Sequence, residues 1–125
     1  VNQIALVTGA ILGILSIIFG AFGAHALKKV LTEERLASFE VAVRYQMYAA
    51  ITLLIIGFHL KFDGSMENWA YYGIFGGCIL FSGSIYFLSL KDLLKVNLRF
   101  LGPITPLGGL LMIIGWLMLL LSFLK

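Results

Sequence analysis

Ile4-Ala5-Leu6-Val7-Thr8-Gly9-Ala10-Ile11-Leu12-Gly13-Ile14-Leu15-Ser16-Ile17-Ile18-Phe19-Gly20-Ala21-Phe22-Gly23-Ala24-His25-Ala26-Leu27 is a run of 24 residues without Asp, Glu, Lys or Arg. At about 1.5 Å per residue it is long enough, as a helix, to cross a hydrocarbon core of about 30 Å. It is too long for the apolar core of a signal peptide and lacks a basic start, so it reads as a retained span. The whole chain agrees. Of its 125 residues 61% are hydrophobic and only 12% charged, and the mean hydropathy is +1.03. A water-soluble domain of this size needs a polar exterior that this composition does not supply.

Working outward, Lys28 to Arg44 is the most charged stretch. Thr32 followed by Glu33 and Glu34 predicts a helix start, with a capping hydroxyl and acids against the dipole. Glu40 and Arg44 lie four apart, in the order that favours an ion pair. The uncharged part of this helix, Tyr45 to Leu60, has 16 residues, so Phe39 to Arg44 joins the span and Arg44 snorkels to the headgroups. Lys61 to Asn68 reads as a polar loop with Asp63-Gly64-Ser65 as turn chemistry. Trp69, Tyr71 and Tyr72 read as an interfacial aromatic belt. A third span follows to Leu90, then a basic loop from Lys91 to Arg99. In the last run, Thr105-Pro106 predicts a cap followed by proline at the first helical position. Pro103 predicts an extended lead-in.

The resulting expectation is an all-α integral membrane protein, a four-transmembrane-helix bundle of antiparallel up-down topology. A single membrane domain covers residues 1–125, with spans near 4–27, 39–60, 69–90 and 104–124. Glycines supply the packing faces: Gly9, Gly13, Gly20 and Gly23 with Ser16 on the first helix, Gly73, Gly77 and Gly83 on the third, Gly108 and Gly115 on the fourth. Small residues let helix backbones approach where lipid supplies no hydrophobic drive. Packing within the chain is favoured over a dimer face for the first stripe.

Loops one and three carry Lys28, Lys29, Arg35, Arg44, Lys91, Lys95 and Arg99, against Lys61 and Lys125 on the other side. This asymmetry predicts that loops 28–44 and 91–99 are cytoplasmic, in a bacterial inner membrane. Four alternating spans then bring His25, Glu40, Arg44, Tyr45, Gln46, Ser82, Ser84, Tyr86 and Thr105 to the same side. Polar groups in lipid are costly and face the bundle interior, so these residues predict a one-sided polar pocket. The opposite half reads as bland Leu, Ile and Phe.

The bland alternatives are specific. His25 suits a helix end, where its charge would favour the dipole. Glu40 and Arg44 satisfy each other. Ser82 and Ser84 return their hydroxyls to carbonyls one turn back. Tyr45 and Gln46 hydrogen-bond across helices. Cys78 is the only cysteine, which precludes disulfides within the chain and paired-cysteine metal sites, and it reads as a small core residue. With no phosphate loop, zinc-protease motif or paired carboxylates, no cofactor or metal is expected. No basic tract points to nucleic acid.

Gly20-Ala-Phe-Gly-Ala-His25, Tyr45-Gln46, Phe81-Ser-Gly-Ser-Ile-Tyr86 and Ile104-Thr-Pro-Leu-Gly-Gly109 with Gly115-Trp116 carry a resemblance over essentially the whole chain. They resemble the domain of unknown function 423 family, small bacterial inner-membrane proteins of the YgdD/YwdK type. The resemblance implies a four-helix membrane protein and no established activity. Members usually carry a second histidine one turn into helix two, where this chain has Ala49 in Tyr48-Ala49-Ala50.

Three functional classes follow. The reading preferred is a non-enzymatic membrane protein whose polar site binds a lipid or small molecule. It lives in the bilayer as a homo-oligomer, or with a membrane-protein partner. The second class is an oligomeric channel or transporter. The third is a membrane enzyme or cofactor binder using His25.

Overall fold

The computed structural model describes residues 1–125. Four long helices account for most of the chain: α1 (Gln3–His25), α2 (Glu33–His59), α3 (Ser65–Leu94) and α4 (Ile104–Leu124). Each is long and apolar enough to cross a membrane. They run antiparallel in sequence order. α1 packs on α2, α3 packs on α4, and α2 joins the two pairs through α3. Neither α1 with α3 nor α2 with α4 forms a comparable packed pair. The arrangement leaves one groove on each face, one between α1 and α3 and the other between α2 and α4.

Local chemistry explains most boundaries. The Asn2 side chain accepts from Ala5 N at 3.1 Å and starts α1, a cap the sequence reading passed over. Thr32 caps α2 as expected, its hydroxyl accepting from Arg35 N at 3.2 Å. α3 stops at Lys95, which takes the left-handed conformation (φ 54°) that ends helices.

Three boundary expectations are corrected. Ser65 to Asn68 belong to α3 rather than to a loop, and Asn68 Nδ2 donates back to Gly64 O at 3.0 Å. Lys91 to Leu94 extend the other end of α3, so the basic loop is shorter. The lead-in to α4 is not extended. Arg99–Leu101 form a 3-10 turn, Gly102 and Pro103 take right-handed helical angles, and α4 begins at Ile104. Thr105 is therefore inside the helix. Pro106 is tolerated because first-turn N–H groups have no intrahelical acceptor.

Only 27 of 125 residues are buried, and large apolar side chains such as Ile4, Ile17, Ile55, Ile113 and Phe123 are exposed along every face. In water that surface would aggregate, and lipid tails suit it. The small core runs through Leu12, Ala50, Leu53, Ile74, Cys78 and Leu119. Cys78 is the small core residue expected of it.

Glycine sets how closely the helices approach. A Cβ on Gly73 would lie 2.7 Å from Gly115 Cα, and one on Gly115 would lie 2.7 Å from Ile74 N. A Cβ on Gly77 would lie 2.6 Å from Met112 N, and one on Gly108 would collide with the Phe81 backbone. On α1, a Cβ on Gly9 would meet Ala50 O at 2.9 Å. The α1 stripe thus packs inside the chain, against α2. Gly13, Gly20 and Gly23 are looser, with nearest neighbours at 3.9, 3.4 and 3.1 Å, all side chains. Gly83 departs from expectation: nothing lies within 4 Å of its Cβ position, so it packs no helix.

Substituting Gly73 or Gly115 by Ala should cost about 1–3 kcal/mol, because backbone must move to admit the methyl group. Gly83→Ala should be neutral or slightly stabilising. Thermal unfolding in detergent, followed by circular dichroism, separates the two groups.

Candidate functional site at the basic end of the bundle

The sequence places nine polar residues at one end of the bundle. The structure divides them into three sets. The first set is a hydrogen-bonded staple through the middle of the chain. Gln46 is buried on α2 and donates from Nε2 to Leu12 O on α1 at 2.9 Å. Its Oε1 accepts from the Tyr86 hydroxyl on α3 at 2.5 Å. Ser82 Oγ donates to Ala42 O on α2 at 2.8 Å, rather than to its own helix. Ser16 Oγ donates to Val43 O at 3.2 Å. The Tyr86 ring sits between Phe19 and Phe39, with centroids 5.0 Å from each. Every polar end in this set is satisfied inside the protein, so Gln46, Ser82 and Tyr86 join helices rather than wait for a ligand.

The second set lies outside. His25, Glu40, Arg44 and Tyr45 are all exposed. Glu40 and Arg44 form no ion pair, since the two salt bridges are Arg35–Asp92 and Lys125–Glu67. Tyr45 makes no hydrogen bond across helices. Its ring packs edge-on against Phe81 and Tyr48 at 5.2 and 5.6 Å. The expected single pocket holding all nine residues does not form. Their positions along the helices coincide, but their directions around the helix axes do not.

The third set forms a chamber. Ser84 points toward α4, away from Ser82, and shares a 2.5 Å hydrogen bond with Thr105 Oγ1. It also donates to Phe81 O at 3.0 Å, the local bond expected of it. Beside this pair is a cavity of about 440 Å³, bounded by Arg35 and Ser38 of α2, Leu88 and Ser89 of α3, and Gly102 and Thr105 at the start of α4. Arg35 reaches across from α2, donating from Nη1 to Leu88 O at 3.3 Å, with Nε 3.7 Å from Asp92 Oδ2. A guanidinium carries five N–H donors, so most remain free. Ser89 is 2% exposed, and its hydroxyl has no hydrogen-bond partner. A buried polar atom without a partner is uncommon and asks for an explanation.

Arg35, Ser38 and Ser89 were not singled out from the sequence. Arg35 counted only as loop charge. The signal available was spacing: Arg35, Ser38 and Val41 continue through Tyr45, Tyr48 and Thr52 on one face of α2 at helical intervals.

The opposite end is less bland than expected. Tyr71 is buried rather than part of a belt, and its hydroxyl donates to Thr8 Oγ1 at 3.2 Å. Glu67, in the first turn of α3, is 7% exposed and holds Lys125 Nζ at 3.4 Å through Oε1. Trp69 and Tyr72 are exposed.

The motifs that carry the sequence resemblance fall on the staple, on the glycine contacts of α3 with α4 and, for Gly20 and Gly23, on the contact of α1 with α2. Comparison with known proteins decides the relationship. Residues 19–109 match the family described as "Protein of unknown function (DUF423)". The chain belongs to this family. It is 42% identical to a UPF0382 membrane protein of Staphylococcus haemolyticus, over 98% of this chain and 97% of the relative. It is 36% identical to the UPF0382 membrane protein YwdK of Bacillus subtilis, over 98% of both. A Staphylococcus epidermidis relative is 41% identical over 98% of this chain and 97% of its own length. No solved structure matches. This DUF423 chain is accordingly a multi-pass membrane protein of a bacterial family, and the family description assigns no activity.

Gln46→Leu should lower stability by about 1–3 kcal/mol, since it strands the Tyr86 hydroxyl in a dry interior and removes the bond to the Leu12 carbonyl. His25→Ala and Glu40→Gln should leave stability unchanged within about 0.5 kcal/mol. Detergent melting curves of the three variants check this.

Proposed function

We propose that this DUF423 chain is a non-enzymatic membrane protein that holds a lipid or small molecule at the basic end of its bundle. The observation that carries the reading is the Arg35–Ser38–Ser89–Thr105 chamber, where a buried hydroxyl lacks a partner beside an arginine with free donors. Buried polar groups that the protein does not satisfy itself call for a partner. No nucleophile with an adjacent base lines the chamber, which favours binding over catalysis.

The orientation proposed follows the charges. The spans near 4–27, 39–60, 69–90 and 104–124 cross a bacterial inner membrane, and the loops within 28–44 and 91–99 face the cytoplasm, placing the chamber at the cytoplasmic headgroup level. Association into a homo-oligomer remains part of the proposal, with its contact moved. Gly9 is consumed by packing on α2, whereas Gly76 has open space beyond it and is available to a second copy.

Two experiments test this reading. Native mass spectrometry of protein released gently from membranes should show a defined bound mass that Ser38→Trp removes and His25→Ala retains. The reverse pattern would move the site to His25. In a Cys78→Ala background, Asp63→Cys should react with a membrane-impermeant maleimide on intact spheroplasts, and Val96→Cys should not.

A further inference from the structure

A larger space lies further along the same helices. Between α2 and α4, floored by α3, a groove of about 750 Å³ runs past Tyr45, Tyr48, Phe81, Met112 and Trp116. Its walls extend the same three stripes that bound the chamber. On α2 the stripe is Arg35, Ser38, Val41, Tyr45, Tyr48 and Thr52. On α3 it is Ser89, Ile85, Phe81 and Ile74, and on α4 it is Thr105, Gly109, Met112 and Trp116. Each advances by one or two helical turns, so chamber and groove lie end to end along the bundle. From Arg35 to Thr52 the two span about 25 Å at about 1.5 Å per residue. The groove stays open because α2 and α4 do not pack on each other.

Resting on the binding reading above, we infer that chamber and groove together are a site for an anionic phospholipid, with its phosphate at Arg35 and an acyl chain laid along the α2–α4 groove. The polarity gradient carries the assignment. The head end offers the Arg35 guanidinium and the Ser38 hydroxyl, donors suited to phosphate oxygens, with the unpartnered Ser89 hydroxyl buried in the wall behind them. The remainder is aliphatic and aromatic, and mostly long enough for a chain rather than a compact solute. The charge around the head end is positive by a small margin, with Arg35, Lys91, Lys95 and Arg99 against Glu33, Glu34 and Asp92. Asp92 faces Arg35, but its side chain is 72% exposed and therefore well solvated. Lys91, Lys95 and Arg99 stand in the adjoining turn. The head end lies at the interface, where a lipid phosphate already is, so the ligand need not leave the bilayer plane. The groove between α1 and α3 has an apolar lining too, but its polar groups, Gln46, Ser82 and Tyr86, are already paired.

The test uses the full chain, delipidated in detergent and titrated in native mass spectrometry with three probes: phosphatidylglycerol, diacylglycerol with the same chains, and inorganic phosphate. The wild type should retain phosphatidylglycerol about tenfold or more over diacylglycerol, which lacks the phosphate, the scale of one charge-assisted hydrogen bond. Arg35→Gln should erase that preference, and Arg35→Lys should keep part of it. Gly109→Leu should weaken both lipids by narrowing the groove. Its Cβ meets only the Phe81 ring, at 3.5 Å, so the backbone has no need to move. Gly83→Leu, in the other groove, should change nothing. A preference that survives Arg35→Gln, or lipid binding indifferent to Gly109→Leu, overturns the lipid assignment. Inorganic phosphate bound as tightly as lipid, and lost in Arg35→Gln, overturns the lipid assignment but leaves the binding reading in place. No retention of any probe removes both.

Discussion

The close approach of α3 and α4 at Gly73, Gly77, Gly108 and Gly115 is the contact on which the rest of this structure depends. In water a helix pair is driven together by burying apolar side chains. In lipid that drive is absent, because the tails outside are as apolar as the residues within. What remains is dispersion between closely fitted surfaces and hydrogen bonding that the bilayer cannot offer. Four glycines without Cβ atoms bring two backbones into contact, which fixes the rotation of α4 about its own axis. That rotation turns Thr105 onto Ser84 and Trp116 toward the groove, away from the helix pair.

The second pair is held differently. α1 meets α2 at Gly9 and Ala50, and the rest of their contact is secured by polar side chains reaching main-chain carbonyls. Ser16, Gln46 and Ser82 each donate to a carbonyl on a neighbouring helix. Such carbonyls already serve their own helix ladder and keep a second lone pair free. α2 stands at the centre of this set, bonded to α1 on one side and to α3 on the other. The polar residues expected to form a binding pocket on this side thus hold the pairs together, and the groove they leave is apolar.

The face between α2 and α4 has the opposite character. There the helices diverge, no side chain bridges them, and a chamber with an unpaired Ser89 hydroxyl opens beside Arg35. Arginine at this depth is kept in place by its bond to the Leu88 carbonyl, so its charge is positioned instead of swept into water. Stability and site are accordingly separated on two faces of the same helix, α2.

Four long apolar helices and their order were legible in the sequence, because they depend on local quantities. The length of an uncharged run decides whether a segment can cross a membrane, and Thr32 or Asp63-Gly64 marks where a helix starts or a turn falls. The same local quantities grouped the polar residues by depth, correctly putting Gln46, Ser82, Tyr86, Ser84 and Thr105 at one end. Direction was beyond them. Ser82 and Ser84 are two residues apart, yet one bonds α2 and the other α4. His25, Glu40 and Arg44 share that depth and face outward. Which side of each helix turns inward is set by non-local contacts between glycines far apart in the chain, such as Gly73 with Gly115. Only the tertiary structure, by fixing those rotations, decided that Arg35, Ser38 and Ser89 meet and that the histidine does not.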